Sequence, residues 1–286
     1  MRGARPDAAL ERALRDAAAL ESGEIVVAAV SGGPDSVALA AALAEAAGEA
    51  GATLVLGHVN HAVRASAWQD EAVVLALGAA LRARVRTVSL PPGPADEQRL
   101  RDERYAALAR IAAECGARRV FAAHHAQDQT ETVLLALFRG AGPEGLTGMA
   151  RSRPLAPGVA LERPFLEIES SALRAYCARA HVPYVVDPTN VDLSYRRNAL
   201  RAALAELRAD FPHLDAAVAR CAAILREERA ATPRAALRER LRAELVVATG
   251  DARDVTFARL DAAAAALERG APGRHFLRRG VELHVE

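Results

Sequence analysis

The sequence predicts an α/β protein: a doubly wound, Rossmann-like parallel sheet followed by a helical C-terminal domain. Three observations carry that prediction. Apolar, strand-type runs at Ile25–Val30, Thr53–Val59, Val85–Leu90 and Arg119–His124 recur about every 30 residues with helical patterns between them, the spacing of right-handed βαβ units. A glycine-rich turn, Ser31-Gly32-Gly33-Pro34-Asp35-Ser36, joins the first run to an alanine-rich helical run, Val37–Ala47. From Ala202 the pattern becomes almost unbroken helix, interrupted at Phe211-Pro212, Thr232-Pro233 and Gly250. The expected domains are therefore 1–201 and 202–286.

Composition bounds the function. A chain of 286 residues with 51% hydrophobic residues can bury the core such a sheet needs. Its formal net charge is only +1, so any nucleic-acid binding has to come from local arginine patches. All 37 cationic residues are Arg, which together with the abundance of Ala reads as base-composition bias. Cys115, Cys177 and Cys221 form no C-x-x-C pair, so neither a zinc site, an iron–sulfur site nor a disulfide framework is indicated, and a reduced cytoplasm fits. No apolar stretch is long enough to span a bilayer and the N-terminus carries no signal-type segment, so no membrane role is expected.

In chain order, Asp7–Glu21 reads as a helix with Leu10, Leu14 and Leu20 as its apolar positions. The first strand and the glycine turn follow. Gly32 and Gly33 let the backbone approach a ligand, and the N–H groups and positive dipole of the helix start favour an anion. Ser31 and Ser36 add hydroxyls. Asp35 is repulsive among phosphate-binding amides unless a cation such as Mg²⁺ lies between, which points to ATP with its metal. The plainer alternative is a helix cap on a tight turn. The turn has neither the Gly-Lys-Ser/Thr end of the kinase-type phosphate loop nor G-x-G-x-x-G spacing.

Ligands of doubly wound sheets collect beyond the carboxyl ends of the strands, so the segments after the strands should line one site. These are the glycine turn, HVNHAVR (His58–Arg64), PPGPADEQ (Pro91–Gln98) and HHAQDQTET (His124–Thr132). The imidazoles, amide and guanidinium of HVNHAVR can recognise adenine, ribose or phosphate, although one His at a strand end is usually structural. Asp128 and Glu131 are three apart and share a helix face, where they either complement the dipole, bind metal or hold an amine substrate's ammonium. His124 and His125, adjacent at a strand end, point in opposing directions and make a poor metal site. RGAGPEGLTGM (Arg139–Met149) reads as a connector or lid, and Arg139 could reach phosphate. A strand over Ala160–Leu166, a helix over Ser170–Ala180 and an extended piece over Pro183–Asn190 precede a helix that gathers Arg196, Arg197 and Arg201. The chain ends in a hairpin around Arg279-Gly280.

The glycine turn resembles the SGGxDS loop of the N-type ATP pyrophosphatases. Together, SGGPDS, HVNHAVR, RDERYAALARIA, HHAQDQTETVLLALFRGAGPEGLTGM, RPFL, DPTN and YRRNALR follow in the order seen in tRNA(Ile)-lysidine synthases, and over Ile25–Arg201 the chain resembles that family. The resemblance implies a ligase acting in two steps on the wobble cytidine (position 34) of tRNA(Ile) with a CAU anticodon. ATP adenylylates the C2 oxygen and pyrophosphate leaves; the ε-amine of free L-lysine then displaces AMP to give lysidine. By motif position Ser31, Gly32, Gly33, Pro34, Asp35 and Ser36 bind the ATP phosphates, with Asp35 on Mg²⁺. Asn60, His61 and Arg64 line the adenosine or base side. Asp128 and Glu131 orient lysine and cytidine, while Arg104, Arg139 and Arg197 neutralise phosphates or AMP.

Gln127 departs from the acidic residue or Asn that many relatives carry before the second acid of the helix motif, so the role passes only to Asp128. The chain also resembles a short form without the further C-terminal domain of longer members, which leaves the body of the tRNA to tail arginines such as Arg234, Arg238 and Arg240. A homodimer is compatible with this reading. Two alternatives compete: a tRNA thiolase of the same superfamily, which would use paired cysteines, and a nucleotide-binding sensor module, which would need no acidic helix face.

Overall fold

The order of burial along the first strand reveals what lies on its two sides. In β1 (Ile25–Ala29) Val26, Val27 and Ala28 are all fully buried, as a central strand covered on both faces must be. Val26 and Ala28 pack with Leu54 and Leu56 of β2 (Thr53–Asn60), with α1 (Pro34–Ala50) and with Val74 and Leu77 of α2 (Ala67–Leu81). Val27 and Val55 face the other way, onto Leu108, Ile111 and Ala112 of α3 (Glu97–Cys115). Period-two alternation thus sorts one strand into two cores. The computed structural model describes residues 20–60, 67–91, 97–180, 182–185, 195–231, 233–250, 257–270, 272–278 and 280–285, with Ala13 and Val255. The helix expected over Asp7–Glu21 lies largely outside them.

With β3 (Arg84–Ser89), β4 (Arg119–Phe121), β5 (Ser152–Ala156) and β6 (Val159–Glu162), the sheet has the order β3-β2-β1-β4-β6-β5. Every neighbouring pair is parallel except β5 with β6. The doubly wound expectation holds, with one correction. The strand read as Ala160–Leu166 ends at Glu162, and its partner β5 was not anticipated, because Pro154 breaks the strand pattern and is tolerated only on an edge. Gly158, at φ +74°, makes the turn between them. At the end of the sheet remote from the glycine turn, Arg119 donates from Nε to Glu24 Oε1 at 2.8 Å, joining β4 to the residue before β1.

The same unit holds α4 (Ala126–Phe138) as far as Gln129, α5 (Ser170–Arg179) and α6 (Arg196–Asp210). The chain divides into two compact units, Met1–Gln129 with Met149–Asp215, and Thr130–Gly148 with Ala216–Glu286. The composition change at Ala202 falls inside α6, and the units part after Asp215.

The second unit is built from α7 (Leu214–Ala231), α8 (Pro233–Thr249), α9 (Phe257–Arg269) and the hairpin β7 (Gly273–Arg278) and β8 (Val281–Val285). The expected breaks are where the sequence puts them: α8 opens on Pro233, whose missing N–H is no loss at a first helical position, and Gly250 follows it at φ +85°. Leu241, Leu245, Leu260, Ala263, Ala264 and Leu277 form its core.

The segment after Arg139, expected as a flexible connector or lid, carries turns and one short helix. It turns through a 3₁₀ helix at Gly145–Thr147; Arg226 Nη2 donates to the Thr147 carbonyl at 2.7 Å, and Arg229 and Arg242 stand 3.6 and 3.7 Å from Glu144. Glycine density hides such contacts from the sequence, since the arginines that meet Glu144 lie some 85 to 98 positions away. Among the described residues no helix is long and apolar enough to cross a membrane.

Candidate active site

The glycine turn leaves β1 at the carboxyl edge of the sheet and enters α1. Gly32 has φ +91°, a conformation in which a side chain is strained, whereas Gly33, at φ −75° and ψ 161°, is ordinary extended backbone. Pro34 takes the first helical turn. Ser36 is buried and works inside the turn. Its Oγ donates to the Gly33 carbonyl at 2.9 Å and accepts the Ser31 N–H at 3.1 Å, so the hydroxyl braces the loop. From outside, the Val185 N–H donates to the Gly32 carbonyl at 2.9 Å, and the buried Cys177 thiol donates to the Pro34 carbonyl at 3.3 Å. Burial pushes that thiol up to about 11, so it remains protonated as a donor. A turn fixed on four sides is preorganised rather than formed around its ligand.

The residues after β4 meet it. His125 Nε2 lies 3.6 Å from Asp35 Oδ2 and 3.5 Å from Asp128 Oδ2, so one imidazole stands between two carboxylates. Asp128 sits in the first turn of α4 and accepts the His125 N–H at 3.2 Å, the acidic half of a capping box. Arg201 Nη2 is 3.6 Å from Asp128 Oδ1. Burial alone would raise the Asp128 pKa; His125, His124, Arg197 and the N–H overcome it and hold it below the usual carboxylate range. Asp35 goes the other way. Burial raises its pKa and Asp128 adds to that, against His125, Arg174 and Arg201. His124 is pushed down to about 3, chiefly by burial, with Arg163, Arg101 and Arg197 adding to the effect and Asp128 opposing it. It is therefore neutral at any physiological pH.

Three polar atoms in this cluster are buried with no partner among the described residues: Asp35 Oδ1, His124 Nδ1 and His125 Nδ1. Buried polar atoms are ordinarily satisfied, so these mark where a polar ligand fits. A carboxylate oxygen without a donor, on a turn whose amides suit phosphate, suits a cation between the two.

These positions can be set against known proteins. Residues 6–207 match the family of the PP-loop domain. A tRNA(Ile)-lysidine synthase of Ralstonia nicotianae is 43% identical over 230 residues, covering 77% of this chain and 49% of that protein. Another, of Gloeobacter violaceus, is 37% identical over 225 residues, covering 78% of this chain and 69% of that protein. The chain belongs to the tRNA(Ile)-lysidine synthase family. It spans about half the length of the first of these relatives and about two thirds of the second. Among solved structures, the U34-tRNA thiolase NcsA from Methanococcus maripaludis, with its [4Fe-4S] cluster, matches with a TM-score of 0.66 over 78% of this chain and 79% of that one. At 15% identity that likeness is one of fold.

The site residues expected of a lysidine-synthase family member are not all brought together. Asp35, Asp128 and Arg197 converge with the glycine turn. Glu131 lies one turn beyond Asp128 on α4 and is fully buried, while Asn60, at the end of β2, is half-buried and accepts the Leu90 N–H on its carbonyl at 2.8 Å. Arg104 and Arg139 are exposed, on α3 and just after α4. His61 and Arg64 lie outside the described residues. His58 is 3% exposed and its Nδ1 donates to the Val30 carbonyl at 2.8 Å, which fixes its ring against β1.

Gln127 also has a structural part, accepting the Ser170 N–H at 3.0 Å and reaching Asp215 at 3.4 Å. Sequence reasoning missed His125 as the bridge between the acids, and missed Arg101 and Arg163. The available signal for Arg163 was its place immediately after a strand, in the RPFL motif. Cys115, Cys177 and Cys221 sit on three different helices, α3, α5 and α7.

Proposed function

We propose that this chain uses ATP to adenylylate the C2 oxygen of the wobble cytidine of a CAU-anticodon tRNA(Ile), and that free L-lysine then displaces AMP to form lysidine. The observation that supports it most is the meeting of a braced glycine turn with Asp35, His125 and Asp128 at the carboxyl ends of β1 and β4. The amides of Gly32, Gly33 and the start of α1 bind the departing pyrophosphate, and the fixed turn spares reorganisation as its charge develops. Asp35, with one oxygen lacking a donor, would hold Mg²⁺ with the ATP, and the ion when bound neutralises phosphate charge. Asn60, at the end of β2, takes the adenosine side, the part the family resemblance also gives to His61 and Arg64.

Asp128 remains ionised and suits an ammonium, with Glu131 one turn on; Arg197, near Asp128, offsets the negative charge of AMP. In the second step the lysine amine, having lost a proton, attacks C2, the bond from C2 to the adenylate oxygen breaks, and AMP leaves. Arg104 and Arg139 are exposed, and their guanidiniums suit phosphates of the larger substrate. ATP, tRNA and free lysine meet in the cytoplasm, where this reading puts the protein.

The test is incubation with labelled lysine, ATP and total tRNA, followed by nucleoside analysis and a pyrophosphate assay. Lysidine with stoichiometric pyrophosphate is expected. Pyrophosphate without lysidine would sink lysine ligation and leave another adenylylation; no pyrophosphate with any tRNA would leave a binding module.

A further inference from the structure

On the β6 side of the acidic cluster, three guanidiniums gather on one phenol. Tyr105 projects from α3, and Arg101, one turn earlier, holds its guanidinium carbon 5.7 Å from the ring centroid. Arg153 of β5 stands 4.8 Å from the same centroid. Arg163, just past β6, is 2% exposed; its charge acts on the Tyr105 hydroxyl, and it donates from Nη1 to the Ala150 carbonyl at 2.7 Å. Its Nε is buried with no partner.

A buried arginine is ordinarily matched by a carboxylate. Here, among the described residues, none of the three arginines has an ion-pair partner. Three like charges around one ring repel each other, and an anion with several oxygens is what relieves them, since guanidinium forks match phosphate geometry. A phenol hydroxyl beside them can donate to such an anion.

Location narrows the anion. Arg163 and Arg101 both act on His124, so the cluster borders the reaction centre. In the order β3-β2-β1-β4-β6-β5, β6 is two strand spacings from β1, roughly 10 Å, and lies on the opposite side of β1 from Asn60 at the end of β2. A triphosphate seated on the glycine turn with its base toward β2 leaves this place to the second substrate. We propose that Arg101, Arg153 and Tyr105, braced by Arg163, form a phosphodiester-binding site that grips the RNA backbone beside the reacting nucleotide. This rests on the polynucleotide reading of the active site and names where the strand is held.

The experiment measures binding without turnover, on the full chain, so its outcome is independent of whether lysidine is made. Arg101→Gln, Arg153→Gln and the double variant are titrated with a short single-stranded RNA oligonucleotide over a range of salt, and separately with ATP. Each single variant should flatten the slope of log affinity against log salt by roughly 0.7 and the double by about twice that, with ATP affinity and melting temperature unchanged. Each single variant is read on its own, so instability of the double does not decide the matter. Unchanged RNA affinity and slope in both singles would overturn the site; lost ATP affinity with an unchanged RNA slope would show that the phosphate gripped there belongs to the nucleotide, and would overturn it equally.

Discussion

Replacing Asp35 by Asn should separate what the fold wants from what the chemistry wants. In the ligand-free protein burial holds the Asp35 pKa above the ordinary carboxylate value, and the neighbouring Asp128 charge adds to that. A carboxyl whose folded pKa exceeds its unfolded one stabilises the fold fully only below the unfolded value, about 3.9. That stability is lost as pH rises through the folded value. Above the folded value both states are ionised and the folded state carries the whole penalty. Asn cannot ionise and removes it, while the His125 contact it forfeits is long, at 3.6 Å.

With the Asp35 side chain 31% exposed, solvent screens the penalty, so the gain should stay under about 1 kcal/mol, a rise in melting temperature of at most about 4 °C for a domain of this size. Catalysis should move the opposite way. Losing the one charge on the phosphate turn should cost about 3 kcal/mol of transition-state stabilisation, roughly 150-fold in tRNA-dependent pyrophosphate release. Thermal melting without ligand and a coupled pyrophosphate assay read the two effects. A variant that melts well below the parent, or that keeps its release within about tenfold, refutes the reasoning.

Asp128→Asn and Glu131→Gln should lower lysidine formation further than pyrophosphate release, since carboxylates that hold an ammonium matter most to amine attack; equal loss of both steps would reassign them to metal or base. Asp128→Asn should also cost about 1–3 kcal/mol of stability near neutral pH. Because the folded pKa of Asp128 is depressed, its contribution is present above the unfolded value and disappears as pH falls through the folded one, so the gap in melting temperature between variant and parent should close in acid. Ser36→Ala should raise the KM for ATP and cost about 1–3 kcal/mol, because the Ser31 N–H and the Gly33 carbonyl lose their shared partner; an unchanged KM would mean the turn holds its shape without it. Arg238→Gln should destabilise by about 1–3 kcal/mol, against less than about 0.5 for Arg240→Gln, as read by denaturant titration.

The sheet was legible because strand-type runs and glycine punctuation are local signals. Four parallel strands, the turn before α1 and the Pro233 and Gly250 breaks all rest on a few adjacent residues. The edge strand β5 was not, since Ser152–Ala156 has no period of its own and exists only through pairing with β6. At the site, Asp35 and Asp128 were legible as acids in a phosphate-binding neighbourhood. His125 was discounted on the argument that neighbouring imidazoles diverge; the fold uses one of the pair, with Asp35 and Asp128 reaching it from different helices 93 positions apart in sequence. Tyr105 and its three arginines come from α3, β5 and the end of β6, and no window of sequence shows them together.

The tail arginines fail to read for a different reason. With no Lys in the chain, Arg serves both as the solubilising surface cation and as the buried pairing cation, so composition cannot separate the two. Helix geometry can. Arg238 and Arg240 are two positions apart on α8, about 200° around the helix: Arg238 is 7% exposed and pairs with Asp261 Oδ1 at 2.5 Å, while Arg240 is open to solvent and meets Glu244 at 3.0 Å. Arg234 pairs with Glu268 at 2.7 Å between α8 and α9. A phosphate can take Arg240 from an exposed pair worth a few tenths of a kcal/mol. It can take Arg238 only by leaving Asp261 unpaired in a half-buried place, at a cost no single phosphate contact returns. Of the three arginines read from sequence as a grip on tRNA, Arg238 therefore belongs to the core of its own unit, and a salt slope carried by this helix has to come from its other face.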